Sequence, residues 1–128
     1  MLGWLWIFFL ASAVQVIGNI VVFWQIQNAA KLELLGMRFP NIGTFWLGYC
    51  IILLPIFIPM GVLNSYIYWY GYHNVFSERV WLVQLTVWFS SILIMFFTAW
   101  LYLGELPAKN MVVALLFLVC ALVAILWK

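Results

Sequence analysis

The formal charges of this chain are confined to short intervals. Lys31, Glu33 and Arg38 form one group, Glu78 and Arg79 a second, and Glu105 and Lys109 a third, with Lys128 last. The intervals 1–30, 39–77, 80–104 and 110–127 contain no Asp, Glu, Lys or Arg. A helix needs about 20 apolar residues to cross the hydrocarbon core of a bilayer. Four uncharged runs of that order, joined by short charged connectors, predict an all-α integral membrane protein. The expected architecture is a four-helix bundle of four transmembrane helices with short loops, and residues 1–128 form a single four-span domain.

Composition agrees. Hydrophobic residues make up 70% of the chain and charged residues 6%, against about 45–50% and about 25% in soluble domains. In water such a chain would expose apolar patches large enough to aggregate, so membrane lipids are its expected surroundings. A net charge of +2 argues for neither nucleic acid nor a polybasic tether.

The predicted spans are residues 3–24, 42–70, 80–103 and 110–127. The opening MLGWLWIFFLASAV is like the start of a secretory signal. However, no basic residue precedes it and its apolar character continues through Trp24, so it is read as a retained first span. Gln25, Gln27 and Asn28 are expected to end that helix. Pro55 and Pro59 fall inside the second span, where each removes a helical hydrogen bond. Trp4, Trp6, Trp24, the Tyr66–Tyr72 stretch, Trp81, Trp100, Tyr102 and Trp127 lie near span ends, the pattern of an interfacial aromatic belt. Orientation is poorly encoded: Lys31, Arg38 and Lys109 face one side, and Arg79 and Lys128 the other. The small four-span plan points to a bacterial inner (plasma) membrane.

Charged groups inside spans would mark an ion pathway, and this sequence offers none. Its candidates are neutral. Ser12, Gln15 and Asn19 share one face of the first helix, beside Gly18. Gln84, Trp88, Ser91, Met95 and Thr98 form a comparable stripe on the third. Two readings of these stripes stand side by side. They are hydrogen-bonding glue between helices, or they line a substrate path. His73 is expected in a solvated connector, and Glu105 is expected to brace the last turn with Lys109. Cys50 and Cys120 lie in apolar runs and are read as packing residues. The sequence holds no Ser/His/Asp set, metal-ligand cluster, phosphate loop or Cys-x-x-Cys. No enzyme, metal or cofactor is expected.

Two stretches carry a family resemblance: AVQVIGNIVVFW at 13–24, and AWLYLGELPAKNMVVALLFLVCALVAI at 99–125. They resemble the first helix, and the third-helix end, tight turn and fourth helix, of the small multidrug resistance proteins of the drug/metabolite transporter superfamily. The resemblance implies a transporter whose first three helices line a chamber and whose fourth packs against a second subunit. Ala114 and Ala121, seven residues apart, stand where the family uses small residues for that dimer contact. Gln15 stands in the place of the family's membrane glutamate. Glutamine cannot ionise, so the proton exchange that the family runs through that position cannot operate here. The resemblance therefore implies transport or flipping of an amphipathic or lipid-linked substrate. Gln15, Asn19, Ser12 and Gln84 would be the hydrogen-bonding site residues, and Trp88 an aromatic wall. Trp69, Tyr66 and Tyr70 are further candidates to stack on sugar or isoprenoid surfaces, and belt anchoring explains the two tyrosines equally. The implied assembly is a homodimer, or a heterodimer with a similar four-span chain. A different class of function is also consistent with uncharged spans: a non-transporting structural or accessory subunit of a larger membrane complex.

Overall fold

A computed structural model describes residues 2–104 and 108–126. Four helices account for most of it: α1 (Leu2–Ala29), α2 (Ile42–Tyr70), α3 (Val80–Leu103) and α4 (Lys109–Leu126). Three of them, α1, α2 with its extension to Val75, and α3, are long and apolar enough to cross a membrane. Residues 105–107, 127 and 128 lie outside the described chain, and with them the expected Glu105–Lys109 brace, Trp127 and Lys128.

Helix α1 runs five residues beyond the expected 24. Gln25, Gln27 and Asn28 occupy its last turns rather than ending it, and Asn28 Nδ2 donates back to the Trp24 carbonyl at 2.7 Å. Helix α2 starts on a capping box. Asn41 Oδ1 accepts from the Thr44 amide at 2.9 Å while the Thr44 hydroxyl reaches back to the Asn41 amide. Pro55 and Pro59 lie inside it and are both exposed. At its far end no left-handed cap closes the helix, since Gly71 stays in the right-handed conformation. The helix widens instead into a π turn, Gly71–Val75. Helix α3 closes on Gly104, whose φ of +70° gives the left-handed cap that glycine adopts without a Cβ clash.

The expected polar connector between α1 and α2 is a structured hairpin. Strand β1 (Glu33–Leu34) pairs antiparallel with β2 (Met37–Arg38), with Leu34 opposite Met37. Leu34 is fully buried, and Phe39 lies over Gly48 so closely that a Cβ there would meet its ring at 2.5 Å. Turn residues and one inward leucine thus build a small element that span counting does not see.

Packing is uneven. Helices α1 and α3 make the most extensive interface, α1 and α2 a smaller one, and α2 barely touches α3. Contacts between α1 and α3 climb together, from Trp4–Thr86 through Ser12–Ser90 and Asn19–Thr98 to Phe23–Tyr102, so the two helices are parallel. Two cores sit at opposite ends. One joins Ile7 and Ala11 of α1, Ile67 of α2, Phe76 and Val83, drawing three helices together. Gly71 makes this convergence possible, since a Cβ there would lie 3.0 Å from both Ile7 and Val83. The second core gathers Val21, Leu34, Phe45, Tyr49 and Leu53 from α1, the hairpin and α2, without α3.

Helix α4 is the most loosely attached of the four. Among the described residues it touches α3 alone, and only lightly. The exposed surface of the chain is 8750 Å², against about 7000 Å² for a compact soluble protein of 14.9 kDa. Large side chains such as Leu101 and Phe117 are more than 70% exposed. Surface of that kind is stable against lipid or another apolar partner, not against water.

Candidate functional site

The α1–α3 interface is held by neutral polar side chains along most of its length. At one end the Trp4 indole N–H donates to Thr86 Oγ1 at 3.2 Å, and that hydroxyl donates to the Leu82 carbonyl at 2.9 Å. One helical step further, the hydroxyls of Ser12 and Ser90 meet at 2.9 Å. Beyond them Asn19 Nδ2 donates to Thr98 Oγ1 at 2.9 Å, and Thr98 donates to the Ile94 carbonyl at 2.7 Å. Tyr102 and Gln27 approach at 3.5 Å at the far end.

Local sequence explains this alignment. Thr86, Ser90 and Thr98 recur at four- and eight-residue intervals, which puts them on one face of α3. All three are buried, Ser90 completely. Small side chains let the two backbones approach, and the Thr86 and Thr98 hydroxyls also bond carbonyls of their own helix. Among the described residues no buried side-chain polar atom lacks a partner.

Gln15 extends the chain of hydrogen bonds. Its Nε2 donates to Asn19 Oδ1 at 3.0 Å, and Asn19 passes the polarity on to Thr98. The amide is half-buried. It lies about 20 Å from either end of α1 at 1.5 Å per residue, which is the middle of a membrane-spanning helix. Gly18, on the neighbouring face, looks onto Met60 of α2. Gln15 therefore sits on the α1 surface between the face that meets α2 and the face that meets α3. Among the described residues its Oε1 accepts no hydrogen bond, which leaves a carbonyl acceptor at mid-depth.

Gln84 lies elsewhere on α3. It faces α2 and accepts from the Tyr68 hydroxyl at 2.6 Å. That bond joins two helices that otherwise hardly meet, and it lies near the three-helix core. Away from it α2 leans on α1 and the hairpin, where Tyr49 donates to the Val21 carbonyl at 3.0 Å.

Of the residues singled out from the sequence, the structure brings Ser12, Gln15, Asn19 and Thr98 into one seam and places Gln84 beside it as the partner of Tyr68. Trp88 is not part of this group. It is 58% exposed on the opposite side of α3, in a groove of about 130 Å³ with Leu85, Phe89 and Ile92 of α3 and Leu118, Ala121 and Leu122 of α4. The helical period explains the difference, since Trp88 stands two residues from both Thr86 and Ser90 and so points away from them. Ala114 and Ala121 share an exposed face of α4, with Ala121 at the edge of that groove. Trp4, Thr86, Ser90 and Tyr68 are seam or flanking residues that the sequence stripes missed. The spacing of Thr86, Ser90 and Thr98 was the available signal. His73 lies on the π turn, exposed, with its ring 4.9 Å from Tyr72 and 5.7 Å from Trp69.

No protein-family model matches the chain, and neither a curated protein nor a solved structure matches it significantly.

Proposed function

We propose that this protein is a small-molecule membrane transporter, or a flippase-like protein, of the small multidrug resistance type. It moves an amphipathic or lipid-linked substrate across a bacterial inner membrane without a glutamate proton switch. The observation that carries this reading is the neutral seam. Gln15 presents an amide carbonyl at mid-depth, backed by Asn19 and Thr98, on the side of α1 where α2 and α3 part. A neutral acceptor of this kind suits hydroxyl or amide groups of a substrate. It does not suit a cation, which would cost several kcal/mol to bury without a counter-charge. Trp88 serves in this reading as a lipid-side residue rather than a wall of the site.

The Tyr68–Gln84 bond and the core around Gly71 hold α2 and α3 together at one end. An access path at that end requires this bond to break, while Pro55 and Pro59 let α2 bend. Alpha-helix 4 acts as the fourth span and, through the Ala114–Ala121 face, as the contact with a second copy or a similar chain. The test is reconstitution with a fluorescent glycosylated isoprenoid lipid whose outer-leaflet pool is bleached by dithionite. Wild-type vesicles should bleach beyond the outer-leaflet fraction, and Gln15→Leu should abolish the excess while the protein remains folded. Equal bleaching by the two proteins removes Gln15 from the site.

One observation favours the second reading, an accessory subunit of a larger membrane complex. Among the described residues helix α4 leaves nearly its whole circumference without a protein partner, and most polar groups of the seam bond one another. Co-purification with larger chains at fixed stoichiometry distinguishes this role.

A further inference from the structure

We propose that the β1–β2 hairpin is a membrane-surface clamp. Leu35 and Met37 enter the headgroup region of the bilayer that the helices span, and Lys31 and Arg38 bind phospholipid phosphates. The proposal is independent of whether the protein transports anything.

The first observation is a mismatch between the turn and its residues. The two central positions, Leu35 and Gly36, have φ of +49° and +80°. A two-residue hairpin turn with both values positive favours Asn-Gly, because asparagine tolerates the left-handed region and leucine disfavours it. Leu35 gains nothing from the fold in return, being 69% exposed. A large apolar side chain held in a disfavoured conformation and pointed away from the protein indicates an apolar environment outside it.

The second observation is rigidity and depth. Leu34 is fully buried in a core with Val21 and Tyr49, and the Phe39 amide donates to the Leu32 carbonyl at 2.8 Å. The hairpin thus folds back along α1 and α2 instead of standing off in water. Helix α1 has 28 residues, about 42 Å at 1.5 Å per residue, whereas the hydrocarbon core is about 30 Å thick. The end of α1 therefore reaches the headgroup layer, and the folded-back hairpin lies within it.

The third observation is charge. Lys31 is exposed, and Arg38 is 86% exposed in its side chain with only a 3.8 Å contact to Glu33. Two cations flank an apolar tip whose other exposed large side chain, Met37, is half uncovered. Apolar insertion combined with Lys and Arg at the rim is the chemistry of an interfacial anchor on anionic lipid.

The full chain is prepared with Cys50→Ala and Cys120→Ala and reconstituted in nanodiscs of phosphatidylcholine, with or without phosphatidylglycerol. A nitroxide label is placed at Met37→Cys or, for reference, at Ser77→Cys in the opposite connector. Power saturation then compares access of oxygen with access of a water-soluble nickel chelate. The label at 37 should show a several-fold higher oxygen-to-nickel ratio than the label at 77, rising further with phosphatidylglycerol. Leu35→Asn suits the turn better, so the hairpin stays folded and the Phe39 amide stays protected from exchange, yet the ratio at 37 should drop to that at 77. Lys31→Gln with Arg38→Gln should erase the phosphatidylglycerol increment. A label at 37 as open to nickel as the reference in both lipids overturns the proposal. So does shielding from both reagents, which would mean that polypeptide covers the hairpin, and so does indifference to all of these substitutions.

Discussion

Asn19 and Thr98, 79 residues apart in the chain, are joined by a 2.9 Å hydrogen bond that is buried on both sides. Asparagine in a membrane helix is costly unless its amide finds such a partner. Here it finds two, since Gln15 supplies a donor to Asn19 Oδ1. This bond ties the mid-depth amide of α1 to the face of α3.

Thr98→Val retains the shape of the side chain and removes its oxygen. The Asn19 amide loses its acceptor, and stability should fall by about 1 kcal/mol, within the range measured for hydrogen bonds between membrane helices. Thr98→Ser should recover most of it. Steric trapping or unfolding in sodium dodecyl sulfate reads both.

Ser90 has no exposed surface and meets Ser12 hydroxyl to hydroxyl. Removing both oxygens with Ser12→Ala and Ser90→Ala should cost little, about 0.6 kcal/mol. Ser90→Leu must force α1 and α3 apart and should cost about 1–3 kcal/mol. The thermal midpoint in detergent ranks the two.

Glycines of α2 should separate cleanly. Gly61 has nothing within 4 Å of where a Cβ would stand, so Gly61→Ala should be neutral or stabilise by up to about 1 kcal/mol through helix propensity. Gly48→Ala collides with the Phe39 ring and should dislodge it. Amide exchange across residues 32–39 should quicken in Gly48→Ala and remain unchanged in Gly61→Ala.

Uncharged spans predict flux that is indifferent to the proton gradient. An uncoupler added to energised vesicles should leave transport at its original rate. Gln15→Glu places an ionisable carboxyl at mid-depth, and transport by that variant should become pH-dependent. A wild-type protein stopped by the uncoupler contradicts a neutral mechanism.

Much of the helical plan was legible because charge placement alone brackets it. Arg38, Glu78 and Arg79 bound the second and third helices, which begin at Ile42 and Val80 as expected. Ser12, Gln15 and Asn19 were legible as a face because their spacing is helical. The hairpin was not, because Leu34 looks like any connector leucine until its burial is seen. Trp88 falls outside the seam for a related reason. A stripe at helical spacing shows which residues are neighbours, but not which of several helices they face. The light attachment of α4 was equally hidden, since its apolar residues are the same whether they meet protein or lipid.

The central claim is that a substrate is held at Gln15 in the α1–α3 seam. Its most direct test is native mass spectrometry of the protein extracted gently from its own membrane, as wild type and as Gln15→Leu. The account predicts a dimer of four-span chains carrying a defined amphipathic or lipid-linked small molecule, with that mass lost in Gln15→Leu while the dimer persists. A stoichiometric complex with larger unrelated chains, carrying no small molecule and indifferent to Gln15→Leu, would contradict it and make the seam a purely structural contact.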